Sequence, residues 1–160
     1  MIKPLGINKR VSSNANNPLI ISTLVRMMPI AAKQYASVFT YTYLDLKSLL
    51  YNAQNLTNFF NIKYRADSFE DQNIQLPSSL INTKIGDCKS FSLLVSAFLQ
   101  LQKTRNGLIF VSYKADKIPT HVYNFLEVNG VTYFIDATLP ANKIKENREK
   151  ETFNAKFYNV

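Results

Sequence analysis

Apolar positions recur at helical spacing in the first part of the chain and alternate in strand fashion toward its end. From Ile20 to Phe60 the pattern is mainly helical: Leu44, Leu46, Leu49, Leu50 and Ala53 recur at roughly helical spacing, and Pro29 is expected to break the run into at least two pieces. Residues 62–77, IKYRADSFEDQNIQLP, lose this periodicity and read as a long polar loop, the kind of segment that often carries function. From Cys88 to Gln102, the positions Phe91, Leu94, Val95, Phe98, Leu99 and Leu101 give a broad apolar face, that of a well-buried helix. Gly86 permits a tight turn before it, and Asp87 is a suitable N-cap. Three strands are predicted next, at residues 108–115, 121–128 and 131–137; Asn129-Gly130 joins the last two as a two-residue hairpin turn. Residues 1–17, rich in Asn and Ser, read as a lead-in arm, and residues 143–150 as a solvated mixed-charge segment before a short final element, FNAKFYNV.

Composition narrows the class. A chain of 160 residues, 46% hydrophobic and 19% charged, fits one ordinary domain with a real core. Its single cysteine excludes an internal disulfide framework and fits a free thiol in a reducing compartment. The apolar stretch Pro18–Val25 is too short to span a bilayer and is followed by Arg26 and Pro29, so a cytoplasmic protein without a transmembrane segment is expected. The formal charge is +8, and residues 1–63 carry seven basic residues against Asp45 alone. This bias fits an acidic partner protein, nucleic acid or an anionic membrane, although solubility and an exposed basic arm explain it more simply. No basic run of five or more and no zinc knuckle is present.

The chemistry concentrates on three residues. Cys88 opens a helix, where unsatisfied N–H groups and the positive end of the dipole favour thiolate, so its pKa is expected to fall. The same amides suit the oxyanion of a tetrahedral intermediate. The only histidine, His121, starts the first hairpin strand. If Asn129-Gly130 is a two-residue turn, Val128 pairs with Val131, Tyr123 then faces Asp136, and His121 and Asp136 share a face one diagonal step apart. A carboxylate there can hold one ring nitrogen and leave the other for the thiol. Each residue alone is more simply structural; together they make a nucleophile, a base and an orienter. One Cys and one His are too few for a closed zinc centre, and no cofactor is expected.

These residues resemble the transglutaminase-like branch of the papain-like cysteine enzymes, of bacterial or phage type. GDCKSFSLLVSAFLQ is similar to that family's cysteine block, THVYNFLEVNG to its histidine block and VTYFIDATLP to its aspartate block. The resemblance covers about residues 62–140. It implies an α+β fold with a central helix packed on an antiparallel sheet and a Cys88-His121-Asp136 triad, to which the helical pattern upstream adds a helical N-terminal extension. With the pattern along the chain it gives a division into an arm (1–18), the extension (19–60), a catalytic core (61–142) and a tail (143–160), of which only the core carries the resemblance. The implied chemistry is acyl transfer from a protein or peptide substrate through a thioester, completed by water or by an amine. Tyr64 and Asn82 are the oxyanion candidates: the first matches an aromatic position of bacterial relatives, and the second stands six residues before Cys88, where papain-like proteases place a Gln. The chain lacks the Trp that the animal cross-linking enzymes use for this purpose, so hydrolysis is favoured over cross-linking. A module that binds a partner without catalysis, through its basic N-terminal region, is the reading from a different class.

Overall fold

The computed structural model describes residues 9–12, 17–68 and 71–159. In chain order the elements are β1 (Lys9–Ser12), α1 (Asn17–Ala36), α2 (Leu46–Gln54), α3 (Leu56–Phe59), β2 (Lys63–Tyr64), β3 (Asp71–Ile74), α4 (Pro77–Thr83) and β4 (Ile85–Gly86). There follow α5 (Cys88–Leu101), β5 (Arg105–Ser112), β6 (His121–Val128), β7 (Val131–Ile135), a 3₁₀ turn at Ala141–Lys143, α6 (Ile144–Arg148) and β8 (Phe153–Asn159).

The architecture is α+β. Helix α5 lies between α1 and a four-stranded antiparallel sheet of order β7-β6-β5-β8. Cys88 to Leu99 are all buried, because this helix is covered on both sides. Leu93, Leu94 and Val95 pack in one core cluster with Leu108, Phe110, Val122 and Leu126 of the sheet and with Leu24, Met28 and Ala31 of α1. Each such aliphatic side chain taken from water contributes about 1.5–3 kcal/mol. The opposite face of the sheet carries a smaller cluster, Ile109, Val111, Tyr123 and Phe125, with Tyr113 and Phe134 packed against it.

The hairpin follows the counted register. Val128 pairs with Val131 and Asn124 with Ile135, and Asn129 (φ 50°) and Gly130 (φ 78°) supply the left-handed turn. Strand β7 stops at Ile135, two residues short of expectation, so His121 to Tyr123 have no β7 partner beside them. Strand β5 begins and ends three residues earlier than the predicted 108–115, because Asp116 Oδ1 accepts from Ile118 N–H (2.9 Å) and stabilises a turn at 113–118.

Other expectations give way to packing. Helix α1 continues through Pro29 rather than breaking there. The proline lies on the exposed face, where water can satisfy the carbonyl it leaves unbonded. Leu24, Met27, Met28, Ala31 and Tyr35, on the buried stripe, outweigh a penalty of about 3 kcal/mol. The expected polar loop at 62–77 contains two short strands: β2 pairs in parallel with β4, and β3 pairs antiparallel with β1. Thus part of the expected arm is a strand; its residues 1–8 and 13–16 lie outside the described residues. Helix α1 and strand β8, assigned by sequence to an extension and a tail, pack into the same body as α5 and β5. Gly107 allows the close approach of β8: a Cβ there would sit 1.6 Å from the Phe157 carbonyl oxygen.

Candidate active site

Cys88 is the first residue of α5 because Asp87 caps the helix. The Asp87 carboxylate accepts from the N–H groups of Lys89 (3.1 Å) and Ser90 (3.2 Å). Lys89 folds back onto this cap: its Nζ binds Asp87 Oδ2 and lies 3.4 Å from Asp67 Oδ2, tying the 65–68 segment to the start of α5. Burial pushes the Lys89 amine below its usual range, and the Asp67 charge opposes that fall. Two polar ties fix the helix against β6: Ser92 Oγ donates to Val122 O (3.2 Å), and Asn124 Nδ2 donates to Ser92 O (3.0 Å). They hold the start of α5 beside the start of β6.

At that junction Cys88, His121 and Val122 line one cleft of about 520 Å³. His121 Nε2 donates to Asp136 Oδ2 at 2.7 Å. Asp136 is 2% exposed, and its Oδ1 accepts from Thr138 N–H (3.1 Å) and Thr138 Oγ (2.6 Å), so both carboxylate oxygens are engaged. The loop after it is held from outside. Gln54 Nε2, at the end of α2, donates to the carbonyls of Asp136 and Leu139, both at 2.6 Å. The His121 ring is flanked by Tyr113 and Tyr123, each 6.0 Å away centroid to centroid.

The thiol departs from expectation. Its pKa is pushed up to about 11, mainly by burial and further by the Asp136 charge. The N–H groups of Val122, Lys89 and Cys88 itself favour thiolate but do not outweigh that desolvation. Helix-start geometry therefore supplies the amides without supplying a resting thiolate.

The two oxyanion candidates part company. Tyr64 is paired with Gly86 through β2 and β4, stands edge-on to Phe91 at 5.8 Å, and lines a second pocket of about 300 Å³ with His121. Burial and the nearby Cys88 and Asp136 charges push its hydroxyl up to about 12, so it is a protonated donor at neutral pH. Asn82 is exposed at the end of α4 and lines neither pocket. Gln54, Thr138 and the Lys89-Asp67-Asp87 cluster were not singled out by sequence. The spacing Asp136-x-Thr138 is a local signal for a side chain bonding two residues on, whereas nothing in the sequence links Gln54 to a residue 82 positions away. Among the described residues no group of three or more His, Cys, Asp or Glu could hold a metal ion, and no helix is long and apolar enough to cross a membrane.

Comparison with known proteins agrees with this architecture at the level of the family. The sequence profile of the transglutaminase-like domain matches residues 31–159, extending the resemblance both upstream into α1 and downstream through β8. A crystal structure of a candidate cysteine protease from Cytophaga hutchinsonii is similar at 18% identity and a TM-score of 0.45. The alignment covers 81% of this chain and 45% of that one, so the chain spans under half the length of that neighbour. No curated protein sequence matches the chain. With the profile spanning the buried helix α5, the whole central sheet and Cys88, His121 and Asp136, the chain belongs to the transglutaminase-like domain family.

Proposed function

We propose that this chain is an acyl-transfer enzyme that uses Cys88 as nucleophile, His121 as base and Asp136 as orienter, and that it hydrolyses a peptide or amide bond through a thioester. The observation that carries the reading is the 2.7 Å bond from His121 Nε2 to Asp136 Oδ2, on a histidine that shares a cleft wall with the only cysteine. With Nε2 committed to the carboxylate, Nδ1 is the nitrogen left to accept a proton. The resting nucleophile is a protonated thiol. As Cys88 Sγ adds to the carbonyl carbon, its proton passes to His121 Nδ1, and Asp136 stabilises the imidazolium. The carbonyl oxygen becomes an oxyanion facing the Cys88 N–H, with the Tyr64 hydroxyl as second donor. Collapse expels the amine, which takes the proton from His121, and leaves the thioester. A water, deprotonated by His121, then releases the acid.

The test is reaction with p-nitrophenyl acetate, followed by p-nitrophenol release and intact mass. One acetyl per chain on Cys88, lost with time and absent in Cys88→Ala, is the expected result. No adduct on Cys88 in the folded protein contradicts the proposal. Adding a fluorescent primary amine divides the outcomes further: return of acetate in its presence supports hydrolysis, whereas capture of the acetyl group by the amine makes the enzyme an acyltransferase.

A further inference from the structure

The geometry points to a division of the substrate across His121: the acyl portion carries a bulky apolar side chain held by helix α1, and the leaving amine lies in the smaller pocket. This rests on the acyl-transfer reading. The two pockets meet at His121 and Thr120, but only the larger one contains Cys88. The group that stays on sulfur therefore extends into the larger cleft, and the group that departs with the His121 proton occupies the other. The larger cleft is walled by Ile20, Ile21 and Leu24 of α1, Phe110 of β5 and Ile118 of the following turn. Two charged side chains on its rim are already engaged within the protein. Lys89 is held by Asp87 and Asp67, and Asp116 accepts from Ile118 N–H and from Ser112 Oγ. Lys114 stands exposed at the mouth. The interior thus offers mainly apolar surface, and a volume of about 520 Å³ holds a leucine- or phenylalanine-sized side chain with adjoining backbone.

The smaller pocket is lined by Tyr64, Tyr113, Thr138, Leu139 and Asn147 beside His121, and it lies on the side of the imidazole away from Cys88. The α1 wall also has a distinct origin. Ile20, Ile21 and Leu24 precede residue 31, where the family match begins, so this chain furnishes the specificity surface from its own N-terminal segment.

The experiment compares Cys88 acylation by p-nitrophenyl acetate and p-nitrophenyl hexanoate, whose carbonyls have nearly equal intrinsic reactivity. Four additional methylenes buried in the cleft raise the second-order acylation rate by roughly 50- to 200-fold. Ile21→Ser, and independently the more exposed Ile118→Ser, are expected to reduce the hexanoate-to-acetate ratio at least fivefold. A hexanoate-to-acetate ratio near one in the wild type overturns the inference while leaving the acyl-transfer reading standing, since acetate still acylates Cys88. A preference that both variants retain in full overturns the assignment to this cleft. Failure of both esters to acylate Cys88 removes both proposals together.

Discussion

Replacing Asp136 by Asn tests the orienting role without removing volume. In the wild type one carboxylate oxygen receives His121 Nε2–H at 2.7 Å, and the other receives two donors from Thr138. The Thr138 N–H can only donate, so the single oxygen of an asparagine is drawn to that side and its amide NH₂ turns toward His121. Two N–H groups then face each other unless the imidazole moves its proton from Nε2 to Nδ1. That tautomer presents a hydrogen, not a lone pair, where the thiol proton has to go. The cost is that of the wrong tautomer, a fall of about 10³–10⁴ in acylation rate, equivalent to roughly 4–5.5 kcal/mol of barrier. Stability changes less, by about 1–3 kcal/mol for one charge-assisted bond in a buried setting. The assay is single-turnover p-nitrophenol release from p-nitrophenyl acetate, with thermal unfolding measured alongside. A folded Asp136→Asn variant acylating within threefold of the wild type would refute the reasoning.

Further outcomes follow from the same geometry. The Cys88 thiol titrates near 9 when unfolded and at about 11 in the fold, so the folded state retains the proton longer; the associated stability is complete below pH 9 and is lost as pH rises toward 11. The full loss approaches roughly 3 kcal/mol above pH 11, so in urea unfolding the wild type should lose about 2 kcal/mol of stability relative to Cys88→Ala between pH 8 and pH 11; a pH-independent difference argues against the buried thiol. Gln54→Ala, which frees the carbonyls of Asp136 and Leu139, is expected to slow acylation about tenfold and to shift its pH profile with the chain still folded. Gln54→Glu should be worse, because a carboxylate opposes both carbonyls; wild-type rates and profile in both variants would show that the α2 contact does not position Asp136. Gly107→Ala must drive β8 away from β5, at a cost of about 3 kcal/mol or more, and an unchanged melting temperature would contradict the close approach to Phe157.

The parts of this arrangement that were legible in sequence are those fixed by local chemistry. The Asn129-Gly130 turn sets the hairpin register, which directs Asp136, one residue past the end of β7, toward His121. The cap at Asp87 and the apolar face from Phe91 to Leu101 likewise place Cys88 at the start of α5. Features decided by distant packing were not legible. The upward push on Cys88 arises from burial at the α5–β6 junction, which a helix-dipole argument does not contain. Pro29 reads as a break until α1 is docked on α5 with the proline facing outward. Helix α4 begins at Pro77 and ends after seven residues at a left-handed Lys84, too short to establish its own periodicity. β8 depends on the free edge of β5, and Gln54 reaches Asp136 only after α2 folds over the end of the hairpin.

The most direct test of the central claim is the rate of Cys88 alkylation by iodoacetamide between pH 6 and pH 11, in wild type and His121→Ala. A thiol at about 11 on its own is thiolate to only about 0.03% at pH 7.5, against roughly 3% for the unfolded thiol that titrates near 9. If His121 takes the proton, the wild type should react at least tenfold faster than the variant near neutrality, and the two should converge as the pH approaches 11. Identical profiles for the two proteins, or a cysteine inert in both until the chain unfolds, would contradict a Cys88-His121 catalytic pair.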